Sequence, residues 1–439
     1  MSKTWTCIIK TDLNEARDSF PRFVLRPIFG RAMEFNLGGE NEGKTMNPLS
    51  RLNNAAPPIL IGLLLACSPL APIAQAVDPP QERGRPTAIL VSPIHEAQVV
   101  RGDDGKDHVE YELLVVNAVE QPVTLMSLTV LDPAAKELTR IDGPVLVAAT
   151  QTLLDKKPVA EIPASAAVSV DVDLIVPPGT APERVTHRLA YSVPAGTSTA
   201  VFVDPPVIDG PEVAINRRPA TVIKPPLKGD GWLATTACCT PNLHRDLRIV
   251  VDGRRIETAE TFAVDWALLK GDRVYEGKGA TNEQFYVYGA DVLAVADGTV
   301  VSVQDGKPDA TPNKAMTPKT LSDFGGNQVM LEIAPNVFAV YGHLQPGSLR
   351  VKVGDTVKVG APLAKIGNTG PSLGPHLHFG LLNRPDMFTG RSLPFVIDSY
   401  TLAGTVDFKA SQGDTLAVTS NSKQVRSVYP LHGTIQNFP

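Results

Sequence analysis

The sequence predicts an all-β protein with two domains, an N-terminal immunoglobulin-like β-sandwich followed by an antiparallel β-sheet domain. The chain has 439 residues, too many for one domain at about 150 residues each. Its 35 glycines and 39 prolines favour turn-rich β structure over helical bundles. The net charge of -5 argues against a nucleic-acid partner, which usually meets a basic face. No apolar run reaches about 18 residues, so the sequence predicts no transmembrane helix.

The first 76 residues are predicted to serve in targeting rather than to form part of the fold. Residues 1–45 show no hydrophobic period, and we interpret them as a disordered or non-native extension, with Met46 as the true start. Residues 46–76 are predicted to be a signal segment, because their apolar stretch is too short to span a bilayer. Cys67 follows Leu-Leu-Ala, which resembles a lipoprotein processing box and would make Cys67 a lipid anchor. Residues 74–76 (Ala-Gln-Ala) offer a cleavage site instead.

Either form of processing predicts export to the periplasm, as a free protein or as a membrane-anchored lipoprotein. The alternative for the apolar stretch is a buried helix that follows a disordered tail. Beyond the signal only Cys238 and Cys239 remain. Because adjacent cysteines bridge each other only with strain, we expect two buried small side chains rather than a disulfide.

Residues 87–205 account for the predicted sandwich. A Pro-rich and charged linker, 77–86, precedes this segment, and short β runs separated by Pro, Gly and Asp fill it. Nothing in it predicts catalysis, and we interpret it as a spacer or a binding module. Three isolated histidines are expected to be ordinary surface or edge residues: His95, His108 and His187. Residues 206–230, rich in Pro and Lys, are predicted to be a second linker.

The second domain, predicted over 231–408, carries two histidine motifs. His376 and His378 flank Leu377 at the start of a predicted strand, and residues two apart on a strand point to one face. We interpret the two imidazoles as a metal or catalytic pair, the alternative being a solvated edge. His343 ends a predicted strand that begins at Val329. Residues 409–439 are predicted to be a polar tail.

Together these motifs resemble the M23 (lysostaphin/LytM-type) zinc metallopeptidases over about 230–405. The matching segments are 289–301, 341–344, 353–360, 367–370 and 374–379. The resemblance implies an antiparallel β fold, a Zn²⁺ ion and a peptidoglycan peptide substrate. It implies that His378 is a metal ligand, that Asp265 matches a second ligand, and that His343 and His376 serve the reaction itself.

The sequence departs from the family pattern at Thr261, where the family places a third metal ligand, a histidine. A neutral hydroxyl is a poor zinc ligand. Asp252-Gly253 predicts a two-residue hairpin turn that pairs Val251 with Arg254. Continued outward, that register sets His244 opposite Thr261, so we hypothesise that His244 is the third ligand. The alternative is a surface histidine at the end of the hairpin.

Three ligands would leave a fourth zinc position for water. A zinc endopeptidase that hydrolyses peptide bonds in peptidoglycan is therefore the predicted function. The replacement at Thr261 keeps a second hypothesis open, a catalytically inactive domain that binds the cell wall or activates another wall hydrolase. A lipoyl- or biotinyl-type carrier is disfavoured, because the hairpin tip is Gly354-Asp355 and offers no lysine.

Overall fold

The computed structural model describes residues 86–153, 157–198, 206–314 and 316–439, which all belong to one compact unit. The predicted extension, the signal segment and Cys67 lie outside the described residues. Within them the prediction of an all-β protein is confirmed, since the one α-helix, α1, covers only Gly143–Ala149. None of these residues forms a helix with the length and hydropathy of a membrane span.

The N-terminal domain is built from two sheets that one strand connects. The strands are β1 (Ile89–Pro93), β2 (Ala97–Arg101), β3 (Asp107–Asn117), β4 (Val123–Leu131), β5 (Glu137–Asp142), β6 (Thr150–Thr152), β7 (Glu161–Ile162), β8 (Ala167–Val176), β9 (Arg184–Ser192), β10 (Val207–Asp209) and β11 (Val213–Asn216). Strand β11 runs antiparallel to β9 and parallel to β2, so it joins the sheet of β4 and β9 to the sheet of β2, β3 and β8. An immunoglobulin-like topology stays a prediction.

Strands β3 and β8 are buried on both faces. The alternating residues Tyr111 and Leu113 enter the core of the N-terminal domain, as the period of two requires. The opposite face carries charged side chains that are equally buried: Glu110, Glu112 and Asp171 on these strands, with Asp173 beside them. Acidic side chains are almost never fully buried unless they are paired, so this face requires a partner surface. The C-terminal domain supplies it.

The C-terminal domain is organised around one large sheet. Its strands are β12 (Thr221–Ile223), β13 (Gly229–Thr236), β14 (Arg248–Val251), β15 (Arg255–Thr258), β16 (Val264–Leu268), β17 (Asp291–Leu293), β18 (Gly298–Gln304), β19 (Asn327–Ala334), β20 (Val337–Leu344), β21 (Thr356–Val357), β22 (Pro362–Lys365), β23 (Leu377–Leu382), β24 (Ser392–Leu393), β25 (Phe395–Gln412), β26 (Thr415–Val428) and β27 (Thr434–Phe438). The sheet order β12-β25-β27-β13-β16-β23-β20-β19-β18-β21 puts β16, β23 and β20 side by side. The hairpin β14–β15 forms a separate ladder.

Two segments predicted as a linker and a polar tail contribute strands to the sheets. In the predicted linker 206–230, β10 and β11 complete the N-terminal domain, and β12 pairs with β25. In the predicted tail 409–439, β26 pairs with β25, while β27 lies between β25 and β13. The predicted strand from Val329 to His343 is a hairpin instead, because Asn336 takes a positive φ of 58° between β19 and β20.

His108 and His187 are buried, so the expectation of surface or edge histidines was wrong for these two, whereas His95 is half-buried. His187 is buried, with Nε2 2.8 Å from the Tyr111 hydroxyl and Nδ1 donating to the Pro211 carbonyl. His108 contacts Asp173, and His95 contacts Thr258 of the C-terminal domain. Residues distant in the chain bury His108 and His187. The neighbouring residues in the sequence do not predict these contacts.

The cysteine expectation was half right. Cys238 and Cys239 are both buried, but they form a disulfide with each other. They follow β13 and open the loop that leads to His244.

Candidate metal centre and active site

Two of the candidate metal ligands lie on neighbouring strands. Asp265 on β16 is paired with His378 on β23, and paired residues point to the same face of a sheet. The flanking pair Trp266 and Leu377 is fully buried in the core on the opposite face. The core therefore fixes the register, and the register brings His378 Nδ1 to 3.0 Å from Asp265 Oδ1.

His244 reaches the same carboxylate from a loop. The Asn242 side chain holds the turn, since its Oδ1 accepts the His244 amide at 2.9 Å and its Nδ2 donates to the Ala237 carbonyl. The imidazole donates from Nδ1 to the Ala263 carbonyl at 3.2 Å. That bond fixes the tautomer and leaves Nε2 facing Asp265 Oδ2 at 3.1 Å.

The hairpin register that led to His244 was wrong by one residue. Val251 pairs with Arg255, because the turn includes a third residue beyond Asp252 and Gly253, both of which take positive φ angles. The ladder stops at the pair Arg248 and Thr258, so His244 is not held opposite Thr261 by strand pairing. His244 nevertheless reaches Asp265, through the turn rather than through the hairpin. The Thr261 hydroxyl is buried and finds no hydrogen-bond partner among the described residues.

The ligand atoms of His244, Asp265 and His378 lie within 4.8 Å of one another. Two imidazole nitrogens and one carboxylate oxygen suit a zinc-like cation and leave a fourth position open, as in catalytic sites. Burial alone would lower the pKa of His244, but the Asp265 carboxylate outweighs it and raises that pKa to about 9. The residues present therefore fit a divalent metal, which would take the place of a proton shared by this pair.

His343 is held in an uncommon backbone conformation at the edge of the site. Its φ is +58°, a left-handed value that costs energy for a residue with a Cβ and that is frequent at functional sites. Its amide donates to the Gly325 carbonyl, and its Nδ1 donates to the Thr369 carbonyl at 2.7 Å. The ring centroids of His343 and His376 are 4.6 Å apart. The fold therefore constrains both the backbone and the tautomer of His343.

His376 precedes β23, which begins one residue later than predicted, at Leu377. Its Nδ1 donates to the Gly374 carbonyl at 2.8 Å, and its Nε2 lies 3.5 Å from Asp265 Oδ1. Burial lowers the pKa of His376, against the opposing effect of Asp265. Burial and the neighbouring His376 and His378 place the pKa of His343 well below its usual value. Both imidazoles are thus neutral at neutral pH.

Two residues near the site were not found from the sequence. Glu260 Oε1 lies 3.7 Å from His378 Nε2, on the side away from Asp265. Arg245, directly after His244, is fully buried against the N-terminal domain. In the sequence, Glu260 stands next to Thr261 and Arg245 stands next to His244. A charged residue at such a position does not by itself show which side chain it contacts.

The chain resembles known peptidases in sequence. The family model described as "Peptidase family M23" matches residues 283–388, a stretch that contains His343, His376 and His378 but lies downstream of His244 and Asp265. A curated relative, an uncharacterized metalloprotease from Haemophilus influenzae, is 40% identical over 84 residues, which are 19% of this chain and 17% of the relative. The chain therefore covers less than a fifth of that relative's length.

Solved structures of M23 proteins are also similar. The catalytic domain of EnpA, a prophage-encoded M23 protein from Enterococcus faecalis solved as a mutant, is 22% identical with a TM-score of 0.22, covering 38% of this chain and 92% of that one. The catalytic domain of lysostaphin, an antimicrobial peptidase from Staphylococcus simulans, is 26% identical with a TM-score of 0.18, covering 28% and 86%. The likeness to M23 peptidases rests on the match of residues 283–388 to the family model and not on these superpositions.

Proposed function

Residues 283–388 belong to peptidase family M23, and from that premise we propose that the protein is a zinc-dependent endopeptidase that hydrolyses peptide bonds in peptidoglycan. One observation carries the proposal. Two neutral histidines, His343 and His376, adjoin a cluster of three side chains with the donor types of a catalytic zinc site. We assign the metal to His244, Asp265 and His378.

Bound zinc would supply Lewis acidity, lowering the pKa of a water and polarising the scissile carbonyl. The chain's own part is to move protons. His343 and His376 each donate Nδ1–H to a backbone carbonyl, so the lone pair of each neutral ring lies at Nε2. We assign one of these two Nε2 atoms as the base that accepts the proton of the attacking water and returns it to the leaving amine.

The proposed setting is outside the cytoplasm. The bond between Cys238 and Cys239 supports this setting, because disulfides persist mainly in oxidising compartments. We propose export to the periplasm through the segment 46–76, with Cys67 as the lipid anchor if the lipoprotein signal is used.

The test measures metal and turnover together. Purified protein is analysed for zinc per chain and incubated with purified peptidoglycan, and new amino groups in the soluble fraction are counted. We expect one zinc per chain and release of new amino termini that stops when a chelator removes the metal. Zinc without release would support the inactive wall-binding domain instead, and absence of zinc after reconstitution would overturn the proposed metal site.

A further inference from the structure

The loop that carries His244 lies outside the sheet that carries the other two ligands. The hairpin β14–β15 after the loop forms its own two-stranded ladder, apart from the sheet of β16 and β23. Within the C-terminal domain, the ring of His244 has one hydrogen bond to the backbone, at the Ala263 carbonyl. The Asn242 side chain holds the turn from within, and a further contact reaches it from the N-terminal domain.

That support comes from the next residue, Arg245, whose side chain enters the N-terminal domain. It is 0% exposed. One guanidinium nitrogen lies 2.7 Å from Glu110 Oε2 and another lies 3.5 Å from Glu112 Oε1. The guanidinium also donates to the carbonyls of Tyr111 on β3 and of Cys239 in its own loop. Arg245 therefore ties the ligand turn to the acidic face of the other domain.

The charges explain why this contact is specific. Glu110 and Glu112 are both fully enclosed, and removing a partner from a buried ion pair leaves an uncompensated charge. A second arginine, Arg248, pairs closely with Asp171 on the same face. Of the two arginines, only Arg245 adjoins a candidate ligand, and its amide shares the Asn242 side-chain oxygen with the amide of His244.

We propose that Arg245 is a positioning residue for the metal ligand His244, and that the acidic face of β3 is thereby a structural part of the metal centre. The inference rests on the proposed function, because it takes His244 as a zinc ligand. It assigns the N-terminal domain a role in the peptidase site rather than that of a spacer.

The experiment compares zinc affinity in variants of the full chain by competition with a chromogenic chelator. Arg245→Met keeps the apolar stem and removes the ion pairs and hydrogen bonds. We expect zinc affinity to fall about 10- to 100-fold, as for other outer partners of metal ligands. The absorption of the cobalt-substituted protein should also change, since the ligand geometry loosens. Arg248→Met is the matched control, with a comparable fall in melting temperature but zinc affinity within about twofold of wild type.

A second variant acts from the opposite side of the contact. Glu110→Gln keeps the shape of the side chain and lies in the N-terminal domain, so it remains informative if Arg245→Met does not fold. We expect it to weaken zinc binding in the same direction, by up to about tenfold. Wild-type affinity in both variants, or an equal loss in Arg248→Met, would overturn the inference alone. A wild-type chain that binds no zinc would overturn the proposed function, and the inference with it.

Discussion

The candidate ligands are held in two different ways. Asp265 and His378 are paired across β16 and β23, where a fully buried core on the opposite face fixes the register. His244 stands in a turn outside that sheet and depends on side-chain contacts to Asn242, Ala263 and, through Arg245, the other domain. Strand pairing thus sets two ligands, whereas the third depends on the side-chain contacts of a turn.

The largest effect is expected from a substitution at Asp265, one of the two ligands that strand pairing holds. Asp265→Ala removes the carboxylate that faces both His244 and His378. We expect zinc affinity to fall by more than the roughly 10- to 100-fold that an outer partner costs, and peptidase activity to fall to background. Zinc per chain after dialysis measures this. Stoichiometric zinc in the variant would show that the metal is held elsewhere.

Substitution of either proposed proton-transfer residue, His343 or His376, should lower turnover without lowering zinc content. We expect His343→Ala and His376→Ala each to lower kcat by about 10²- to 10⁴-fold while zinc content stays at one per chain, because neither residue is an assigned ligand. Peptidoglycan turnover and zinc content are measured on the same preparations. Loss of zinc in His343→Ala would contradict the division of roles.

A third prediction concerns a contact between the domains that does not involve the ligand turn. Asp103 accepts a hydrogen bond from the Tyr400 hydroxyl, and burial raises its pKa from 3.8 to about 6, against the opposing hydrogen bonds. The folded state therefore binds more protons than the unfolded state between these pH values. The free energy of unfolding should fall as pH rises from about 4 to 6, by up to about 3 kcal/mol.

Asp103→Asn has no such titration, so we expect the variant to lose this decline while its zinc affinity is unchanged. Urea unfolding from pH 4 to pH 8 checks the slope. An identical slope in wild type and variant would contradict the assignment to Asp103.

The smallest effect is expected at the departure from the family pattern. Thr261→Val replaces a buried hydroxyl that has no hydrogen-bond partner among the described residues by a methyl group of the same shape. We expect unchanged zinc content and a stability equal to wild type or higher by about 1 kcal/mol. Chemical denaturation and metal analysis measure both. Loss of zinc would mean that Thr261, not His244 alone, supplies what the missing histidine would supply.

The sequence predicts the structural features that depend on the local alternation of apolar and polar residues. Alternation along the chain places His376 and His378 on one side and Leu377 and Phe379 in the core, and both of the latter are fully buried as expected. It also predicts all-β structure correctly. These features depend on neighbours in sequence, which a single chain records.

What the sequence does not predict depends on distant partners. β27 is a weak strand by its own residues and becomes one between β13 and β25. His108 is buried with its partner Asp173 on the next strand, on a face that a second domain covers. The hairpin register failed at Arg254, where one additional turn residue shifted each predicted pair. The assigned site residues themselves stay predictions, and the structure supplies their geometry.

The long reach of Arg245 has a consequence for biosynthesis. Arg245 and its acceptor Tyr111 are separated by 134 residues, and Trp266 and its acceptor Gln436 by 170. Contacts between such distant segments form slowly, because the intervening chain has to give up its freedom first. We therefore expect the proposed metal centre to form late in folding, after the two domains have docked and Arg245 has reached β3.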